Sequence, residues 1–376
     1  MSTGRVVPVD DPGIEWGDQA VGRYALALAK LGAEGALTNA CFDLAALQLR
    51  DRAFLLVLPR GRQGCWLTAP SVAYGAALRD EIPRLSGPMG SAMLARWASH
   101  LVEGLLRTTR ADQAVHVNHL LFSTSLYGRW TGEALANALA ALRRAFPDRA
   151  ILWRSLNVAD HTPLLAAMEA AGARRMLSRV VWRLADPRAQ WAPRTDVKAD
   201  LELAAGQDIT IQTDGRPSPA DLRRILQLYE AIYLRKYSRT NPAYTEDAVR
   251  AAVEAGVLRL EWIRDMSGQI AAFAADHVCG SELTGPMLGH DNTRPQADGL
   301  YRIAMALSVR RALAEGLSVN YSAGADAFKR NRGATPVLEY TAVFDDHLPA
   351  WRRAGYVLLA RALGALAPGL ERRAAG

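Results

Sequence analysis

The chain has 376 residues, 50% hydrophobic and 22% charged, a globular composition that excludes disordered and collagenous chains. At roughly 100–200 residues per domain the length points to two domains. The formal charge is +7 from 45 basic and 38 acidic residues, and because the lysines are only Lys30, Lys198, Lys236 and Lys329, that charge is almost all arginine, which clamps phosphate or carboxylate with a planar fork.

Residues 20–36 read as a helix of strong helix formers with Leu26, Leu28 and Leu31 on its apolar side. The short apolar runs 42–49 and 53–59, followed by the turn-like RGRQG and then CWLTA, read as strands. Residues 90–107 space Met93, Leu94, Trp97, Leu101 and Leu105 at the period of an amphipathic helix. A strand at 114–121, a helix at 133–145, a strand at 150–155, a helix at 163–171 and a strand at 176–184 complete the first half. Between 185 and 207 two prolines interrupt any periodicity, which marks a linker.

The same order then begins again. A strand at 209–213, a long helix at 220–237 and a helix at 245–255 capped by Thr245 lead into a hairpin, 258–264 and 270–278, and a strand at 283–289. A helix at 300–315, a strand at 318–322, a short helix or turn at 325–330 and a strand at 338–344 follow. Two copies of one α/β unit are expected, each a mixed, mostly antiparallel sheet flanked by helices. The boundaries read as 1–190, a linker at 191–207, 208–346, and a tail at 347–376 whose residues 351–370 form an amphipathic helix docking across the halves or in a homodimer.

Cys41, Cys65 and Cys279 lie far apart without a CxxC pair, so neither a disulfide framework nor a metal site is expected. Residues 1–17 carry Asp10, Asp11 and Glu15 and no apolar run, and no stretch reaches the roughly 18 apolar residues of a membrane span, so the expected location is cytoplasmic. No run of five or six basic residues marks a nucleic-acid arm, and DNA is not an expected partner. P-loop, GxSxG, HExxH and GxGxxG motifs are all missing, which removes the simplest nucleotide, hydrolase, zinc-protease and dinucleotide readings.

Polar chemistry concentrates late in the chain. His290 and Asp291 end a strand, Gly299 precedes a helix, and Lys329, Arg330 and Arg332 cluster after another strand, where a helix N-terminus and cations could close on an anion. These residues carry a resemblance. His290-Asp291, Gly299-Leu300-Tyr301, the turn Asn320 to Gly324 and the stretch Phe328 to Gly333, in this element order over roughly 140 residues, resemble the GNAT acyltransferase superfamily and its FemAB-like and CelD/BioF2-like branch. The first half shares only the element order, as in tandem GNAT proteins, and is expected to shape the acceptor pocket or to be structural.

The resemblance implies transfer of an acyl group, a fatty acyl group among the options, from a donor thioester to an amine-bearing acceptor, an amino acid or peptide of lysine or ornithine type. The implied co-substrate is acyl-CoA or an acyl-phosphopantetheine carrier protein, with no metal. His290 is the implied base, oriented by Asp291, and Tyr321 the group that protonates the leaving thiolate; Asp276 and Glu282 are weaker candidates for the base. Arg294, Gln296, Gly299, Tyr301, Arg302, Lys329, Arg330 and Arg332 are the implied donor-binding residues. The sequence departs from the superfamily at Tyr301, where the pyrophosphate loop has a small residue, and at Asn320, where the branch often has Asp. Aminoacyl transfer from a charged tRNA and a non-catalytic binding module on the same scaffold are the alternatives. Leu120, Leu121, Phe122 and Trp130 are candidates to line an acyl groove.

Overall fold

The computed structural model describes residues 4–61, 63–84, 89–206 and 209–375. The first half runs β1 (Arg5–Val7), α1 (Gln19–Ala36), β2 (Phe42–Gln48), β3 (Ala53–Pro59), α2 (Leu78–Glu81), α3 (Met89–Thr108), β4 (Val115–Val117), α4 (Leu135–Ala145), β5 (Ile151–Asn157), α5 (Thr162–Ala170) and β6 (Arg174–Leu184). The second half begins with two helices, α6 (Pro187–Gln190) and α7 (Thr195–Ala205), on the stretch expected as a linker, of which Gln207 lies outside the described residues. It continues with β7 (Thr210–Thr213), α8 (Pro219–Glu230), α9 (Glu246–Ala255), β8 (Arg259–Arg264), β9 (Ile270–Cys279), β10 (Glu282–His290), α10 (Leu300–Glu315), β11 (Ser318–Asn320), α11 (Asp326–Asn331), β12 (Thr335–Phe344) and α12 (Ala350–Ala375).

Local chemistry explains where several helices begin and end. Asp18 caps α1 by accepting from Ala20 N and Val21 N, and Ser218 and Asp221 form a reciprocal capping box at α8 with Pro219 in its first turn. Thr245 caps α9, which ends at Gly256 in the left-handed region. α8 continues through a π-helical turn, Ala231–Tyr237, which ends on the exposed Lys236 and Tyr237.

All twelve strands form one mixed, mostly antiparallel sheet in the order β1-β2-β3-β4-β5-β12-β6-β11-β10-β9-β8-β7. Among the described residues only β4–β5 and β10–β11 run parallel. Exchanging each strand with its counterpart six places on reads the same order backwards, so the sheet is a topological palindrome of two units. Its centre is interleaved. β12, last in the second half, lies between β5 and β6, while β6 lies between β12 and β11. Each unit thus lends the other its last strand, and the sheet has no seam at the stretch 191–207.

Helices cover both faces of the sheet. On one face α1, α8 and α9 share a single core, in which Tyr24 and Leu28 join Phe42, Val57, Tyr229 and Phe273 from both halves. On the other, α4 and α5 pack over the first half, and α10 over the second through Ile303 and Leu307. Fully burying one such aliphatic or aromatic side chain is worth about 1.5–3 kcal/mol, so the shared core welds the halves together. Among the described residues no helix is long and apolar enough to cross a membrane.

Three expectations are corrected. The apolar stripe of α3 faces outward, with Met93, Leu94, Trp97 and Leu101 exposed by 62–74%, because the inward face is formed by Ser99, Glu103 and Leu106. Leu120, Leu121, Phe122 and Trp130 are buried instead, the first three in the core shared by both halves and Trp130 in that of the first half. CWLTA is a turn, not a strand, and it presents Trp66 toward the connection between α8 and α9.

Candidate active site

The two parallel pairs are short, and each leaves a notch where its strands part. β10 pairs with β11 only from Glu282 to Thr284, then bulges before Met287 and continues against β9 as far as His290. On its other edge the stretch Met287 to His290 has no strand partner among the described residues. Unpaired strand edges present backbone N–H groups that must find other acceptors. The chain beyond β11 turns away through Ser322, Gly324 and Ala325, all at positive φ, and returns as α11.

His290 stands at the mouth of this notch. Its ring lies 5.8 Å from that of Tyr301 at the start of α10, and Tyr301 in turn meets Phe328 of α11 at 4.9 Å. The imidazole is half-buried, and its Nδ1 has no hydrogen-bond partner among the described residues. Burial, and then the charge of Lys236, hold it below the ordinary imidazole value, with Asp291 opposing. It is therefore neutral near pH 7, the state a proton acceptor needs. Burial pushes the hydroxyls of Tyr301 and Tyr321 well above their ordinary values and keeps both protonated.

Asp291 does not orient His290. Its carboxylate accepts from Arg224 Nη2 at 2.7 Å and from Thr293 Oγ1 at 2.6 Å and Thr293 N at 3.0 Å, because neighbouring residues leave a strand end on opposite sides. The two weaker candidates are buried carboxylates with raised values. Asp276, pushed up to about 6 by burial, pairs with Arg311 of α10 at 3.1 Å, and Glu282, pushed up to about 7 by burial and then by Asp160, accepts from Asn320 Nδ2 at 3.4 Å.

Most of the cations expected on the donor are committed elsewhere. Arg302 and Arg332 both bind Asp200 of α7, at 2.5 Å each from their Nε atoms. Arg294 pairs with Asp298 at 2.8 Å and with Asp265 at 3.3 Å. Lys329 is buried under the turn it closes, donating to the carbonyls of Tyr321, Ser322 and Ala323 at 2.8, 3.2 and 2.8 Å, and burial pulls its ammonium down to about 7. Only Arg330 of this group is exposed with no ion pair among the described residues; its guanidinium lies 5.3 Å over the ring of Trp182. Gln296 lies exposed in a short 3-10 turn, and Gly299 adopts φ +62° where it meets Leu203 of α7. The motif residues come together in space, but as the frame of the notch more than as its lining.

The first half has the equivalent notch. β4 and β5 pair only from Val115 to Val117 against Ile151 to Trp153, and Ser155, two residues past the last pair, has φ +62° as Ser322 has +58° in the second half. By that symmetry Arg154 occupies the place of Tyr321. It reaches His119 Nε2 at 2.8 Å and lies 5.2 Å over the ring of Trp66, whose Nε1 donates to Asn241 in the α8–α9 connection. Sequence reading missed Asp200, Arg154 and Trp66. Each sits in a stretch without a motif, and only the partner across the fold gives it meaning.

The chain is similar to solved structures at low identity. FemX is 10% identical with a TM-score of 0.49, over 82% of this chain and 89% of that one. A tandem GNAT protein from the clavulanic acid biosynthesis pathway is 14% identical with a TM-score of 0.42, over 93% of this chain and 100% of that one. L-PGS from Bacillus licheniformis is 12% identical with a TM-score of 0.45, over 61% and 79%. No protein family and no curated protein matches the sequence.

Proposed function

We propose that this chain is a tandem GNAT-type N-acyltransferase whose reaction takes place at the β10–β11 notch, moving an acyl group from a thioester to the amine of an amino acid or peptide. The observation that carries this reading is the pairing of an open strand edge, Met287 to His290, with a neutral imidazole at its end. An acyl thioester laid along that edge would meet backbone N–H groups as its carbonyl oxygen gains charge. The acceptor nitrogen attacks the carbonyl carbon and gives its proton to His290, the C–N bond forms, and the C–S bond breaks. Tyr321, which burial keeps protonated, is the group that returns a proton to the departing sulfur.

The donor is acyl-CoA or an acyl-phosphopantetheine carrier, and the acceptor a lysine- or ornithine-like amine. Arg294 is held by two aspartates, and Arg302 and Arg332 share Asp200, so Arg330, exposed and without an ion pair among the described residues, is the first of this group to meet a phosphate, beside backbone. The test incubates the purified chain with acyl-CoA or an acyl carrier protein and an amine panel, following thiol release. Amine-dependent release, lost by ~10²–10⁴ in His290→Ala, supports the reading; no release with either donor overturns it.

A further inference from the structure

Charge does not balance around Arg154. Its guanidinium and that of Arg179 lie over the same indole, that of Trp66, at 5.2 and 5.7 Å. One carboxylate serves the two. Glu339 takes Arg179 through Nε at 2.8 Å and Nη2 at 3.3 Å, while neighbouring Asp160 belongs to Arg183 at 2.5 Å. Among the described residues no carboxylate oxygen lies within 4.0 Å of Arg154. Among the described residues its polar contacts run through Nη1 alone, to Leu67 O at 3.2 Å and His119 Nε2 at 2.8 Å, so none of them occupies the Nε–Nη2 edge of the fork. A charge partly withdrawn from water gains from a counter-charge, and an open guanidinium edge can take one from outside.

The place is reachable. Arg154, Arg179 and Trp66 are each partly exposed, and Trp66 is tied to Asn241 in the connection that follows Lys236 and Tyr237. The charge of Lys236 is felt at His290 and that of Arg179 at Lys329, so the cluster lies within electrostatic reach of the β10–β11 notch.

We propose that Arg154, backed by Trp66 and flanked by Arg179, is an oxyanion-binding subsite that takes the carboxylate of the amine acceptor or a phosphate of the donor. A planar fork with one edge open suits two oxygens of such a group. The proposal rests on the acyl-transfer reading for its role, but binding itself can be read without turnover, so the two fail separately.

The test is side-chain NMR of the full chain with labelled arginine, following Nε–Hε cross-peaks as inorganic phosphate or glycine is titrated in. The Arg154 peak, identified by its loss in Arg154→Gln or, should that variant not fold, in Arg154→Lys, shifts saturably with at least one probe. Saturation by glycine assigns the acceptor carboxylate, and saturation by phosphate the donor. Arg154→Lys, which keeps the charge and loses the fork, weakens binding of that probe by about tenfold, read from the remaining Arg179 peak. Exposed Arg175, which stacks on Tyr340 at 4.9 Å, is the internal control. An Arg154 peak moved by neither probe, or moved only in step with that of Arg175, overturns the proposal.

Discussion

Asp200 and Arg332 meet fork to fork, with Nε at 2.5 Å from Oδ2 and Nη2 at 2.9 Å from Oδ1, and both side chains are almost wholly buried. The pair pins α7 to the end of α11, and Arg302 of α10 joins it on the same carboxylate. Removing one partner of a buried pair leaves the other charge stranded, a loss of about 3–5 kcal/mol. Asp200→Asn should therefore lower the midpoint of thermal or denaturant unfolding sharply. A change within about 0.5 kcal/mol would show that the pair is not a structural clasp.

Glu282 makes a prediction about pH. Its folded value, raised by burial to about 7 from an ordinary 4.5, means that the folded chain holds a proton the unfolded chain has lost. Stability from this group is complete below pH ~4.5 and declines as pH rises to about 7, each pH step between the two values removing roughly 1.4 kcal/mol. Glu282→Gln should remove that decline, so that chemical denaturation at pH 4.5 and pH 8 separates variant from wild type only at the higher pH. An equal offset at both would count against a buried, protonated carboxyl.

His290 predicts the acid limb of the rate profile. Because burial and Lys236 disfavour the imidazolium, kcat/KM should fall only below the ordinary imidazole value of about 6.5. Lys236→Gln removes the nearby positive charge, which raises the His290 value and moves the limb to higher pH. A limb that stays in place in this variant would mean that another group is the base.

Two glycines in one motif should behave differently. Gly333 has φ +85°, and a Cβ there would stand 2.1 Å from the carbonyl oxygen of Gln190, an atom of the main chain. Gly324 has φ +79° but nothing within 4 Å of that position. Gly324→Ala should cost only the left-handed strain, ~1–2 kcal/mol. Gly333→Ala should cost clearly more, with α11 displaced, as compared by equilibrium unfolding; equal costs would remove the clash from the account.

Element positions were legible because they depend on neighbours in sequence. The period along α8, the Thr245 cap of α9 and the unbroken apolar run of β3 each act within a few residues, and structure and reading agree there to within a residue or two. The repeat of element order was legible for the same reason. α7 was missed because its 11 residues follow two prolines and its apolar positions Val197, Ala199, Leu201 and Leu203 alternate rather than repeat at the helical period.

What the sequence determined by itself was the kind and order of pieces, since periodicity, caps and turn residues act locally; that His290, Tyr301 and Phe328 meet ring to ring came from the tertiary structure. Only the tertiary structure decided which edge of β10 stays open, that β6 and β12 change places, and that Arg302 and Arg332 spend their charge on Asp200 while Arg154 keeps its own. The physical reason is that a strand's partner and an arginine's counter-ion lie a hundred residues or more away in the chain, at 102 and 132 positions for the two pairs on Asp200. A long flexible side chain takes whichever carboxylate the fold brings within reach, so the excess of positive charge in the composition became an unpaired guanidinium at Arg154 only after packing had matched its neighbours.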